Sequence, residues 1–260
     1  MSDVDDLLLA GLKKLPPKPA DTASREAKKA YSESMSAVVA VALADALRKR
    51  NLRETMPASL DTEEVVAAPK GKSAARARAQ KRGAERRMAG GLGAKKVDVT
   101  WATEEGGLLL ALSIKSVNFR DQKTGNFQKN LTNRRGDMLY ESTTLHRRFP
   151  YAVLGGFVFL DKGAGADHTG KRKSTAANAH SRFRMFTGRD DPAGRPEQYE
   201  RLYIILVDAN PSGPQYEVFR VGDPQNSIPL ETAFNELLDL IAERNPDFYE
   251  VVDGKLETAG

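Results

Sequence analysis

Sixteen residues lie between Asp98 and Lys115, and their pattern brings the two together. In the first arm Val97, Val99 and Trp101 alternate with Asp98 and Thr100. In the second, Leu108, Leu110, Leu112 and Ile114 alternate with Leu109, Ala111, Ser113 and Lys115. Alternation of period two marks strands, and Glu104, Glu105, Gly106 and Gly107 supply the loop of a hairpin. With Thr103 opposite Leu108, Trp101 faces Leu110, Val99 faces Leu112 and Asp98 faces Ser113. Residues opposite one another, or two apart, share a face. Asp98, Ser113 and Lys115 therefore share one face at the open end, and the large apolar residues point the other way. A slip of one residue mixes the two sets on both faces, so this register is preferred. A carboxylate and an amine on one patch of sheet suit phosphodiester chemistry. The carboxylate can hold a divalent metal, and the ammonium can orient a water or offset charge on a phosphate. The plain alternative is an ion pair on a solvated face.

This arrangement resembles the PD-(D/E)xK nuclease superfamily, the restriction-endonuclease-like fold, which places an Asp on one strand and (D/E)-x-K on the next. The resemblance implies that Asp98 binds metal, that Lys115 is the catalytic lysine, and that the main-chain carbonyl of Ile114 is a second metal contact. It implies Mg²⁺ or Mn²⁺ as cofactor, DNA as substrate, a 5′-phosphate product and a role in bacterial restriction or phage defence. The chain departs from the family at Ser113, where the usual residue is Asp or Glu. A metal ligand is thus missing from its standard place, and Ser113 is expected to hold a metal-bound water. Glu104 and Glu105 are poor substitutes, since about five residues of strand put them on the order of 16–20 Å from Asp98.

Two replacements are expected. Glu85 lies in the fragment Arg-Gly-Ala-Glu at residues 82–85, similar to the family's element in which a helix before the Asp strand turns a Glu toward the metal. Its plain alternative is a partner for Arg82. Glu141 lies on a helix expected from Thr132 or Asn133 to Arg148. Met138, Leu139, Ser142 and Leu145 form that helix's inner stripe, and Arg134, Asp137, Glu141 and Thr144 form a polar stripe. If that stripe leans toward the hairpin, Glu141 or Asp137 becomes a metal ligand or water positioner.

The surrounding elements carry positive charge. Residues 70–96 are crowded with Lys and Arg, and a helix is expected from about Ser73 to Met88, ended by Gly90 and Gly91. Arg78, Lys81, Arg82 and Arg86 on it suit the phosphate backbone of nucleic acid. The polar stretch at residues 117–132 interleaves Phe119 and Phe127 with basic residues, so Arg120, Lys123 and Lys129, with Arg134 and Arg135 just beyond, suit groove or backbone contacts. The alternative for this stretch is a disordered connector. Residues 161–195 form a second polar segment, either closing over substrate or a flexible insertion. The histidines lack metal-ligand spacing, although His146 is placed to touch phosphate.

Residues 151–160 read as a buried strand, so the order from residue 73 is helix, strand, strand, helix, strand. That order is the core succession of the restriction-endonuclease-like fold. Residues 201–209 and 215–221 add a strand hairpin, and residues 230–244 an amphipathic helix. We therefore expect an α/β restriction-endonuclease-like domain over residues 66–260, built around a central mixed sheet. A helical extension over residues 1–65 precedes it, with a short helix at 3–15 and one or two helices over 22–51. The net charge is +5 and cysteine is absent. Without an acceptable secretory signal or an 18-residue apolar run, a cytoplasmic protein with no membrane contact is expected, with self-association or protein partners in a defence complex. The rival to a Mg²⁺-dependent deoxyribonuclease is a catalytically weakened nucleic-acid-binding or docking subunit, with Ser113 as the mark of lost catalysis.

Overall fold

A computed structural model describes residues 2–57, 86–90 and 93–260. The expected hairpin is present as β3 (Val99–Thr103) and β4 (Gly107–Val117). Trp101 faces Leu110 and Val99 faces Leu112, as the alternation requires. Nearer the loop the register shifts between Trp101 and Ala102, so Thr103 faces Gly107 rather than Leu108. One extra residue on β4, Leu109, absorbs the difference as a bulge.

β4 continues through α3 (Leu131–His146) into β5 (Val153–Asp161), which lies parallel to it. A helix is the usual connection between parallel neighbours. β6 (Arg201–Asp208) is parallel to β5. β7 (Gln215–Arg220) and the short β8 (Ser227–Ile228) then follow antiparallel. The protein is therefore α/β, with a six-stranded mixed sheet in the order β3-β4-β5-β6-β7-β8. Both faces are covered, which explains the unbroken apolar sequence of β5.

One face packs against α1 (Asp3–Lys13), α2 (Arg25–Arg48) and α5 (Leu230–Arg244), joining Leu8, Leu43 and Phe234 to Trp101, Leu112 and Phe157. The chain at residues 22–51 thus forms one helix, capped by the Ser24 hydroxyl. By length and composition α2 could cross a bilayer, a property the sequence reading overlooked, but half of its most apolar window is buried in this core. The other face packs against α3 and α4 (Thr175–Phe183), with Met138, Leu145 and Phe183 against Leu154, Val158 and Ile204. Gly155 and Gly156 let both layers approach β5. A Cβ on Gly155 would lie 2.9 Å from Leu237, and one on Gly156 would lie 2.8 Å from Met138 and 2.2 Å from Leu202.

Three expectations are corrected. Residues 86–88 are not the end of a helix: β1 (Arg86–Gly90) pairs antiparallel with β2 (Gly93–Val97). Strand pairing overrides local helical propensity. Leu139 is not on the inner stripe of α3, being 38% exposed, whereas Glu141 and Thr144 are buried. Finally, the two polar segments are not disordered connectors. The Asp121 carboxylate organises a turn by accepting from the amides of Lys123 and Thr124. Asp167 of the second segment accepts from the amide of Phe127 at 3.1 Å and from the amide and hydroxyl of Thr175, each at 2.6 Å. A hairpin of β9 (Tyr249–Val252) and β10 (Lys255–Thr258) ends the chain, with Tyr249 edge-on to Trp101.

Candidate active site

The face of β4 opposite the α2 layer carries Ser113 and Lys115 toward α3. Asp98 sits at the bend between β2 and β3, where β3 has not yet begun to pair with β4. Its Oδ2 accepts the Ile114 amide at 2.6 Å, which fixes the carboxylate at the sheet edge. In a strand, a residue's N–H and C=O point toward the same neighbour. The Ile114 carbonyl is therefore directed to the edge that Asp98 occupies.

Lys115 converges on two acids. Its Nζ lies 3.3 Å from Glu141 Oε2 and 3.7 Å from Asp98 Oδ2. The three side chains are secluded, at 13% exposure for Lys115, 12% for Asp98 and 2% for Glu141. Burial by itself would lower the Lys115 ammonium. The Glu141 and Asp98 carboxylates beside it outweigh that and hold it above its ordinary range. Glu141 reaches the site because α3 crosses this face with its polar side inward, carrying Glu141, Ser142 and Thr144 among its buried residues.

Tyr199, which the sequence gave no reason to select, completes the cluster. Its hydroxyl lies 3.3 Å from the Met138 carbonyl and 3.5 Å from Glu141 Oε1. Burial, and then the Glu141 charge, push this phenol well above its usual range, an effect the neighbouring Ser113 hydroxyl tempers. Ser113 Oγ is buried, and no contact of hydrogen-bond geometry satisfies it among the described residues.

This donor set consists of hard oxygens: two carboxylates, a carbonyl edge and a buried serine hydroxyl beside Tyr199. Magnesium is typically held by one or two carboxylates and keeps several waters. The residues present therefore fit Mg²⁺ or Mn²⁺, with Asp98 and Glu141 as the holders. Among the described residues no group of three or more His, Asp or Glu could enclose a metal, so such an ion would lean on water for the rest of its shell.

The remaining sequence candidates are dispersed. Glu85, Arg78, Lys81 and Arg82 lie outside the described residues, and Arg86 is on β1. Asp137 is half-exposed and faces Arg134 at 3.8 Å. Arg134 is half-buried, and its positive charge also reaches Lys115, opposing the two acids there. Arg120 stacks over Phe127 at 5.1 Å and donates to the Gly125 carbonyl at 3.0 Å. Arg135 stands 6.0 Å over Phe186. Lys123 is exposed, and Lys129 pairs with Asp121 at 2.6 Å.

His146 is not available to a phosphate. Its ring is buried, with Nδ1 3.0 Å from the Pro196 carbonyl and Nε2 3.2 Å from Glu200 Oε2. Glu200 also takes Arg189 at 2.7 Å, Arg244 at 2.8 Å and the Leu154 amide at 2.7 Å. This second buried cluster ties α3, α5 and the starts of β5 and β6 together. No protein-family model, no curated protein and no solved structure shows a detectable match to this chain.

Proposed function

We propose that the protein is a metal-dependent DNA endonuclease with a restriction-endonuclease-like core, in which Glu141 supplies the acid that Ser113 does not. The observation that carries this reading is the approach of Glu141, from a helix twenty-six residues downstream, to the same ammonium that meets Asp98. Asp98 and Glu141 are the residues that would hold Mg²⁺. When bound, the ion supplies Lewis-acid polarisation of the phosphate and a more acidic water.

The chain's own residues do the rest. The Ile114 amide orients Asp98. Lys115 offers a fixed positive charge to the non-bridging oxygens as negative charge grows on them, in a place poor in water where that interaction is strong. Ser113 offers a hydroxyl to a water in the site. Attack of water oxygen on phosphorus with departure of the 3′ oxygen leaves a 5′-phosphate and a 3′-hydroxyl. The seclusion of the three charges favours a second reading, a DNA-binding subunit that keeps the cluster as a structural ion network.

Plasmid cleavage with Mg²⁺ or Mn²⁺ against EDTA separates the two. Asp98→Ala and Lys115→Ala each abolish cleavage in the nuclease and leave salt-dependent DNA binding largely intact. A Lys115→Ala protein that cuts as well as the parent rejects the nuclease. Binding without cleavage in either metal favours the subunit.

A further inference from the structure

A groove of about 530 Å³ opens between the loop that follows β4 and the end of α4, some distance from the Lys115 cluster. Asp121, Lys123, Gln128, Lys129, Thr132 and Arg182 are among its lining residues. Its chemistry is that of a donor. Three cations face one carboxylate, and that carboxylate is already engaged: Lys129 meets Asp121 at 2.6 Å, a hydrogen bond that holds the Asp121 carboxyl down to about 2. Lys123 and Arg182 make no ion pair among the described residues. Arg182 instead donates to the Thr132 hydroxyl at 3.2 Å, which steadies its guanidinium at the mouth. A guanidinium fork, an ammonium and threonine hydroxyls together match the oxygens of a phosphate.

The groove has a fixed relation to the candidate active site, because α3 carries both. Thr132 lies in its first turn and Glu141 nine residues on, which is about 13 Å along the helix axis and half a turn around it. We infer that this groove seats a backbone phosphate of the bound DNA away from the bond presented to Lys115, and that Arg182, on the second polar segment, is its principal contact. The inference rests on the nuclease reading for its substrate, although seating the strand requires no cleavage.

The test is therefore made in EDTA, by fluorescence anisotropy of a labelled DNA duplex over a salt series, on the full chain. The Arg182→Ala/Lys123→Ala double variant binds roughly tenfold more weakly at about 0.1 M salt, and its plot of log K against log salt is shallower by about 0.9, the release expected from one lost phosphate. Far-ultraviolet circular dichroism of the double variant matches the parent, because both side chains lie at the surface. Titration with inorganic phosphate alone separates a strand seat from a free-anion site. Tight binding of free phosphate with no change in the duplex salt slope overturns the seat, as does a parent that fails to bind duplex at low salt. A parent whose duplex binding depends on Arg182 but which never cuts with Mg²⁺ rejects the nuclease and leaves the seat standing. A parent that cuts, paired with a double variant of unchanged slope, rejects the seat alone.

Discussion

Lys115 and Glu141 form a buried pair whose members depend on each other. Attraction between buried charges must repay the loss of their hydration, and removing one partner leaves the other uncompensated. Lys115→Ala therefore destabilises the fold by about 3–5 kcal/mol, read from urea unfolding. Lys115→Met combined with Glu141→Leu recovers only part of that loss, because Asp98 loses the same ammonium, and on the proposed function it abolishes cleavage. Glu200 makes a related prediction in pH. Burial by itself would raise its carboxyl, but the hydrogen bond and charge of His146, with Arg244 beside them, bring it below the ordinary range. A depressed folded value contributes stability that is fully present above the unfolded carboxylate pKa of about 4.3 and is lost as pH falls through the folded value. Thermal midpoints should drop on acidification through that window, and Glu200→Gln, less stable at neutral pH, should show a flatter acid limb. The pairing of Asp98 with Lys115 was legible because period-two alternation admits one register. Tyr199 was not, since nothing in a loop sequence says which side chain will lie over a distant helix. The Glu200 cluster was hidden for the same reason, its members being spread over residues 146–244.

At the level of elements, the position of Glu141 depends on how closely α3 sits on β5. Gly156 sets that distance, because a Cβ there would meet the ends of Leu202 and Met138. Overpacking of this kind costs about 1–3 kcal/mol. Gly156→Val should lower the unfolding midpoint and reduce cleavage by more than the lost stability explains, because it displaces the helix that bears Glu141. Stopped-time cleavage measured well below the midpoint checks this. β3 to β7 and α5 could be read from sequence to within about two residues, since apolar runs and clean amphipathic periods leave few alternatives, whereas β1 read as helix and the short β8, β9 and β10 gave no such signal. α3 could be located but not oriented. Its buried side holds Glu141, Ser142, Thr144 and His146, so a rule that sends polar residues to solvent puts Glu141 on the wrong side. The Leu109 bulge was equally invisible, because a Gly-rich loop closes with either count of residues.

Over the whole molecule, the first two helices are part of the core. Val4, Leu8, Leu12, Tyr31, Met35 and Leu47 are buried in the cluster that contains the sheet residues Val99, Leu110 and Tyr203. Each such side chain is worth about 1.5–3 kcal/mol when buried, more in sum than the usual margin of a folded domain. A chain lacking residues 1–52 should therefore fail to fold, recovered as aggregate and digested by trypsin without a protected fragment. The same accounting limits what the N-terminal helices can do as an independent arm. On the other face, beyond its apolar cluster, the two polar stretches converge on the Asp167 carboxylate. Because Asp167 fastens the amide of Phe127 on one side and Thr175 on the other, and Arg182 reaches the Thr132 hydroxyl, the two polar stretches form one hatch with two latches, and whatever pries up either margin strains both.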